Sequence, residues 1–290
     1  MLLADILAAK KKAGEPSISF EFFPPKTDQG EQNLWQCIQE LTPLNPAFVS
    51  VTYGAGGTTQ DRTLRIVERI KKETTLEPMA HLTCVGSTQA DLAALLNQYK
   101  AAGMKNILAL RGDAPEGQDS FQAVQGGFAY ATDLVKFVRE QQAFSIAVAT
   151  YPEGHPESKG GVADDLKYLK MKQDEGAIAA ITQYFFDNDH YYRFCEQAEK
   201  LGITIPIIPG IMPIANYEQI VRFSAMCGAS IPDWVHTQMS PIKDDLGAVK
   251  EMGIEIATKQ CQDLLANDVA GLHIYALNKS EASLAIYRNL

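Results

Sequence analysis

The sequence has no apolar run of about 18 residues, so nothing in it reads as a helix that crosses a membrane. Cysteine is sparse and scattered, at Cys37, Cys84, Cys195, Cys227 and Cys261. The number is odd, no CxxC occurs, and no Cys/His cluster has zinc spacing. These absences argue against a secreted disulfide framework and a structural zinc site, and they fit a reducing, cytoplasmic compartment. Positive charge is in deficit, with 26 Lys and Arg against 35 Asp and Glu for a net −9. Such a surface repels phosphate backbones and anionic lipid, so neither nucleic acid nor a membrane surface is an expected partner. A local basic pocket for a small phosphate remains compatible with it. Neither GxGxxG nor GxxxxGK[ST] occurs, which removes the dinucleotide fingerprint and the P-loop. No Pro/Gly/Ser-rich linker divides the chain. The start, MLLADILAAKKKAGE, places its lysines after the apolar run, the reverse of a signal peptide, and reads as an ordinary helix.

What is present is ordinary for a globular protein: 290 residues, 46% hydrophobic and 21% charged, enough to bury a sizeable core in one large domain spanning residues 1–290. Short β-rich runs recur at Ser17–Phe23, Ala47–Tyr53, Pro78–Val85, Asn106–Arg111, Ser145–Tyr151, Ala179–Phe186, Ile205–Ile211 and Gly271–Leu277. Most are apolar on both faces, as strands covered on both sides must be. Helical spacing separates them. Leu34, Cys37, Ile38 and Leu41 share one face, and Leu92, Leu95, Leu96 and Tyr99 share another, the latter opened by Thr88 with Asp91 three residues on. Eight such βα units, with extra helices before the last strand, match the arithmetic of a (β/α)8 TIM barrel, which takes about 250 residues. An open doubly wound sheet would put a glycine-rich turn after the first strand, where this chain reads EFFPPKT.

Barrels of this kind hold their active sites at the C-terminal strand ends. Polar residues gather there: Glu21, Thr52, His81, Thr83, Arg111, Asp113, Tyr151, Gln183, Asn278 and Lys279. A carboxylate inside a strand of aromatics is costly to bury, which favours a functional role for Glu21. The others admit plainer readings. Arg111 and Asp113, two apart, could form a local ion pair. His81 could be a satisfied core histidine, and Gln183 could bond backbone. Asp165, Tyr168 and Lys172 could form a solvated helix face.

The stretches SFEFFPPK (19–26), VTYGAGG (51–57), HLTC (81–84), LRGD (110–113), YPEGHPE (151–157), ITQYFFD (181–187), IPGIMPI (208–214) and YALNKSE (275–281) resemble the bacterial methylenetetrahydrofolate reductases, flavin enzymes built on a (β/α)8 barrel. The resemblance implies a ping-pong reaction, in which NAD(P)H, with NADH favoured, reduces tightly bound FAD and leaves. 5,10-Methylenetetrahydrofolate then takes its place and is reduced to 5-methyltetrahydrofolate, in one-carbon metabolism that feeds methionine synthesis. It makes Glu21 the general acid, its carboxyl kept protonated by burial among Phe20, Phe22 and Phe23, and Asp113 the carboxylate beside flavin and pterin. It implies flavin contacts at Thr52, Tyr53, Ala55, His81, Arg111, Gly112, Asp113, Tyr130, Ala131, Tyr151, His155, Asp165, Tyr168 and Lys172. Within that set Asp165 would hold a ribose hydroxyl, and Arg111 and Lys172 would face the pyrophosphate. For the second reactant it implies Asp113, Gln183, Gln219, Phe223 as a stacking ring, and Lys279. At Lys279 the family often shows Arg, and a lysine cannot make the planar bidentate fork. The resemblance further implies a homo-oligomer, a tetramer, with no metal. It also implies no regulatory C-terminal domain, and so no inhibition by S-adenosylmethionine through one. Two other readings compete. A flavin-free barrel aldolase or lyase would need a Schiff-base lysine inside a strand, and no strand has one. A pterin-binding barrel without catalysis would not need Glu21, Asp113 and Gln183 together.

Overall fold

A computed structural model describes residues 1–53, 60–114 and 121–290. Its strand segments are β1 (Ser17–Phe22), β2 (Phe48–Val51), β3 (Pro78–Thr83), β4 (Asn106–Leu110), β5 (Ser145–Thr150), β6 (Ala179–Thr182), β7 (Ile207–Ile208), β8 (Gly210–Ile211) and β9 (Gly271–Tyr275). They pair in the order β7-β6-β5-β4-β3-β2-β1-β9-β8, and every pairing is parallel. β7 and β8 are two halves of one passage, broken at Pro209. Proline has no N–H for a ladder, but its carbonyl still accepts from His273 N at 2.9 Å. The first half pairs with β6 and the second with β9, so the chain itself closes the ring. Nine segments thus make the eight strands of a (β/α)8 barrel.

The helices are α1 (Leu3–Ala13), α2 (Asp28–Leu41), α3 (Gln60–Glu73), α4 (Gln89–Ala101), α5 (Ala131–Glu140), α6 (Val162–Asp174), α7 (Asn188–Lys200), α8 (Tyr217–Cys227), α9 (Asp233–Met239), α10 (Leu246–Ala266) and α11 (Ser280–Arg288). α9 and α10 are the expected additions before the last strand. All four apolar residues of the α2 stripe are buried. α4 opens with a complete capping box, in which Thr88 and Asp91 each bond the other's backbone N–H.

Strand register sorts the side chains into two layers. Ser17, Ser19 and Glu21 alternate with Ile18, Phe20 and Phe22. Phe20 and Phe22 join Val49, Val51, Leu82 and Ile107 in the layer under the helices. The pairings Ser19↔Phe48, Glu21↔Ser50 and Ser19↔His273 put the other set inside the barrel. Below Glu21 the interior is filled by Phe48, Met79, Leu108, Ala147, Ala179, Ile181 and Ile208, with Leu3 of α1 packed among them. α1 stoppers that end. Its first-turn N–H of Leu3 donates to Asn106 Oδ1 at 2.6 Å, and that of Ala4 to Ser145 Oγ at 3.3 Å. These satisfy donors that a helix cannot satisfy itself.

The strands are shorter at their C-terminal ends than the residue pattern predicts. β2 stops at Val51, β3 at Thr83, β6 at Thr182 and β9 at Tyr275. Gly112 (φ 85°), Leu277 (φ 49°) and Asn278 (φ 56°) all adopt left-handed backbone. Thr52, Arg111, Asp113, Tyr151 and Gln183 therefore stand on the loops that crown the strands. Gly112 turns the chain between Arg111 and Asp113. A Cβ at that glycine would also lie 2.8 Å from Val85 Cγ2. No helix among the described residues is long and apolar enough to cross a membrane.

Candidate functional site

Two groups of polar side chains collect at the C-terminal mouth. The first surrounds Glu21, whose side chain is only 14% exposed. Its Oε2 accepts from Ser50 Oγ at 3.0 Å and lies 3.2 Å from His273 Nε2. His81 Nε2 is 3.1 Å from the same oxygen, close enough for charge interaction but not aligned as a hydrogen bond. Oε1 makes no hydrogen bond among the described residues. Burial alone would raise the pKa of this carboxyl. The charge of His81 and the hydrogen bond from His273 outweigh it, holding Glu21 below the usual carboxylate range. This corrects the expectation that its aromatic neighbours keep it protonated: Phe20 and Phe22 point to the helix side, and the groups around the carboxyl are imidazoles and a hydroxyl. Tyr275, paired with Glu21 in register, donates to Thr182 O at 2.8 Å. Gly210 leaves room for that ring, since a Cβ there would meet Tyr275 Cε2 at 2.8 Å.

The second group is built on the loops after β4 and β5 and on α6. Arg111 grips Glu157 through two bonds, Nη1 to Oε2 at 2.6 Å and Nη2 to Oε1 at 2.9 Å. Its ion-pair partner is thus Glu157 and not Asp113, which is exposed. Tyr151 and His155 meet edge to face at 4.6 Å. Burial lowers the His155 pKa, and the charge of Arg111 adds to that. Asp165 is buried and uses both oxygens on the 151–158 loop, accepting from His155 N and, at 2.8 Å, from Ser158 Oγ. In this structure it braces the loop. Lys172 is drawn under the same loop, its Nζ donating to Ala149 O at 2.6 Å. Burial pulls its pKa down to about 8 against the raising effect of Asp165. α6 places Asp165 and Lys172 two turns apart on one face, so this face is not solvated. Tyr168, on the same helix, is 48% exposed and stands apart.

The remaining expected residues are spread more widely. Gln183 lies between the two groups. Its N donates to Thr150 O at 2.8 Å, its Oε1 accepts from Tyr184 N at 3.0 Å, and it shares a small crevice with Tyr151 and Cys227. Thr52 N donates to Phe22 O at 2.9 Å, and its own carbonyl accepts from Thr63 Oγ1 at 3.0 Å, so the β2 crown is tied to β1 and α3. Tyr53 packs into the layer under the helices. Ala55 lies outside the described residues. Tyr130 caps α5 and is exposed, with Ala131 behind it. Gln219 is exposed and Phe223 half-buried on α8, and Lys279 is exposed at the start of α11. Among the described residues no hydrogen bond joins these last five to either group. Ser19, Ser50, His273, Tyr275 and Glu157 belong to the site although the residue pattern did not single them out. The signal for Ser19 was its place two before Glu21 on the same strand face. A 690 Å³ cavity lies elsewhere, against Met1, Lys105, Arg139 and Phe144, at the stoppered end.

Residues 6–290 match the family described as "Methylenetetrahydrofolate reductase". The chain is 43% identical over 277 residues to 5,10-methylenetetrahydrofolate reductase of Escherichia coli K12, covering 96% of this chain and 91% of that protein. It is 42% identical over 287 residues to methylenetetrahydrofolate reductase (NADH) 1 of Zea mays, covering 96% of this chain and 48% of that one. The chain thus spans about half the length of the plant relatives it matches. Among solved structures, an uncharacterised Clostridium thermocellum protein that binds two copies of 5-methyl-5,6,7,8-tetrahydrofolic acid superposes with a TM-score of 0.62 at 16% identity, over 98% of both chains. A phosphonopyruvate hydrolase superposes with 0.56 at 12% identity, over 99% of this chain and 85% of its own. At such identities these likenesses speak for the barrel alone.

Proposed function

The chain belongs to the methylenetetrahydrofolate reductase family, and from that premise we propose that it reduces 5,10-methylenetetrahydrofolate to 5-methyltetrahydrofolate with NADH and bound FAD, in the one-carbon metabolism that supplies methionine. The observation that carries the reading is Glu21: a largely covered carboxyl at the barrel mouth, one oxygen anchored by Ser50 and His273 and the other without a hydrogen bond among the described residues. Opening the methylene bridge needs a proton on the leaving nitrogen, and an acid held at a barrel mouth is suited to give it.

The residues present also fit FAD. Arg111 and Lys172 are two cations at one loop cluster of an otherwise acidic protein, and Lys172 is a buried ammonium whose bonded partner is a neutral carbonyl. A diphosphate would supply the missing countercharge. When bound, FAD would supply the hydride carrier between the two reactants. Arg111 would exchange Glu157 for phosphate oxygens, while Asp165 keeps the 151–158 loop in shape. His81, Tyr151 and His155 would line the cofactor, with Thr52, Tyr53, Ala55, Gly112, Tyr130, Ala131 and Tyr168 as the outlying contacts. Asp113 would place a fixed negative charge against the cationic iminium formed when the bridge opens. Gln183 would orient the pterin or the nicotinamide carboxamide, Gln219 and Phe223 the rest of the reactant, and Lys279 the glutamate tail. NADH is preferred because the maize relative carries it in its name. A cytoplasmic homo-oligomer accords with the family resemblance.

The test is the visible spectrum of the purified protein. A yellow chromophore that NADH bleaches without oxygen, and that 5,10-methylenetetrahydrofolate restores, is expected. A colourless protein unable to take up FAD would end the proposal.

A further inference from the structure

Beneath Glu21 lies a chain of groups that this chemistry does not yet use. His273 on β9 is fully buried. Its ring stacks on Phe48, with centroids 5.8 Å apart, and is met edge-on by Tyr275 at 5.5 Å, so it is held in one orientation. Its Nδ1 lies 2.8 Å from Ser19 Oγ, and that hydroxyl lies 3.2 Å from Leu272 O. A backbone carbonyl only accepts. If both contacts are hydrogen bonds, the Ser19 hydrogen goes to Leu272 and Nδ1 must carry a hydrogen of its own.

A neutral imidazole has a single N–H, so Nε2 would then be a bare acceptor. Yet Nε2 faces Glu21 Oε2 at 3.2 Å and Ser50 Oγ at 3.3 Å. The one Ser50 hydrogen goes to Oε2, the shorter contact at 3.0 Å. An ionised carboxylate and a neutral ring would thus point lone pairs at each other in a buried site. One further hydrogen between Nε2 and Oε2 makes every contact a hydrogen bond.

We propose that Glu21 and His273 form a dyad holding one shared proton, that this is the proton delivered to the leaving nitrogen of the folate methylene bridge, and that Ser19 is the positioning residue that keeps it there by fixing the ring's hydrogen on Nδ1. The proposal rests on the folate reading above. In the step, the proton moves from the dyad through Glu21 to the nitrogen, and the C–N bond breaks with its electron pair staying on that nitrogen. The dyad is left one proton short and regains it from water after product leaves. The titratable groups that face Glu21 among the described residues are His81 from β3 and His273 and Tyr275 from β9; β2 contributes only the Ser50 hydroxyl. Tyr275 is committed to Thr182 O, and its pKa is pushed well up by burial, so it stays neutral. His81 lacks the aligned bond.

The test uses the FAD-loaded protein with ¹⁵N-labelled histidine, read by NMR from pH 6 to 8. His273 is expected to show Nδ1 protonated throughout, with a second proton at Nε2 that exchanges with Glu21. A neutral ring with bare Nδ1, meaning that Ser19 donates to it, would overturn the dyad. Alongside it, Ser19→Ala is expected to shift the alkaline limb of the folate-reduction pH profile down by roughly one unit, the scale of one hydrogen bond to a charged group, while the variant is still reduced by NADH. An unmoved limb would also overturn the dyad. Wild-type protein that never reduces folate would instead fail the functional proposal and leave the NMR result standing on its own.

Discussion

The two polar groups at the barrel mouth are held by different means. Around Glu21 every partner sits on a strand, and the register of β2, β1 and β9 sets Ser50 beside Glu21 and His273 beside Ser19, two residues before it. Around Arg111 the partners sit on loops and a helix, and the cations are occupied by internal stand-ins, Glu157 for one and the Ala149 carbonyl for the other. A proton donor benefits from the first arrangement, since small displacements from productive geometry are costly in catalysis. A cofactor cradle benefits from the second, since stand-ins keep buried charges satisfied until a ligand displaces them.

The sharpest way to break this contrast is Glu21→Gln. Folate reduction should fall on the order of 10²- to 10⁴-fold, the usual worth of a positioned acid. FAD binding and reduction by NADH should persist, because neither needs that proton. Stopped-flow traces of the two half-reactions separate the outcomes, and equal losses in both would make Glu21 structural.

On the cradle side, Lys172→Met should weaken FAD binding roughly 10- to 100-fold, the scale of a charge-assisted bond, as measured by titrating apoprotein with FAD. The same lysine gives a pH signature. Burial holds its pKa near 8, so the ammonium is charged below that pH and neutral above it. FAD affinity should therefore be full below about pH 8 and fall as pH rises through it, by at most about tenfold per unit. The Met variant should lose that dependence, and a pH-independent wild-type affinity would remove Lys172 from the cradle. Gly112→Ala tests the loop that carries Arg111. It forces left-handed backbone on an L-residue, worth about 1–2 kcal/mol, and should lower the melting temperature by several degrees while loosening FAD. The smallest effect is expected at Lys279→Ala, a rise of roughly two- to fivefold in the folate Michaelis constant, since that side chain is exposed and bonded to neither group.

Much of the cradle was legible in the residues because loops at strand ends advertise themselves: LRGD and YPEGHPE are polar, glycine-bearing and short of β-branched residues. Even there the pairing was not. Arg111 has an acid two residues away and bonds one 46 residues away, because Gly112 turns the chain before the alternation of a strand can bring Asp113 round. Asp165 was legible as polar on a helix but not as buried, since its burial comes from the loop laid over it. The support of Glu21 was the least legible part. Ser19 and Ser50 are small polar residues in strands, unremarkable alone, and His273 lies more than 250 residues from Ser19 along the chain.

The alternation of Ser17, Ser19 and Glu21 with Ile18, Phe20 and Phe22, the eight strand-and-helix intervals, the capping box at Thr88 and the proline that breaks the seventh strand are local properties, set by side-chain period and backbone chemistry, and the sequence by itself determined them. The tertiary structure alone decided which strands became neighbours when the ring closed. That closure put β9 against β1 and so placed an imidazole under the carboxyl, and the surroundings of Glu21 depend on that contact, because electrostatic influence follows distance in space and not separation along the chain.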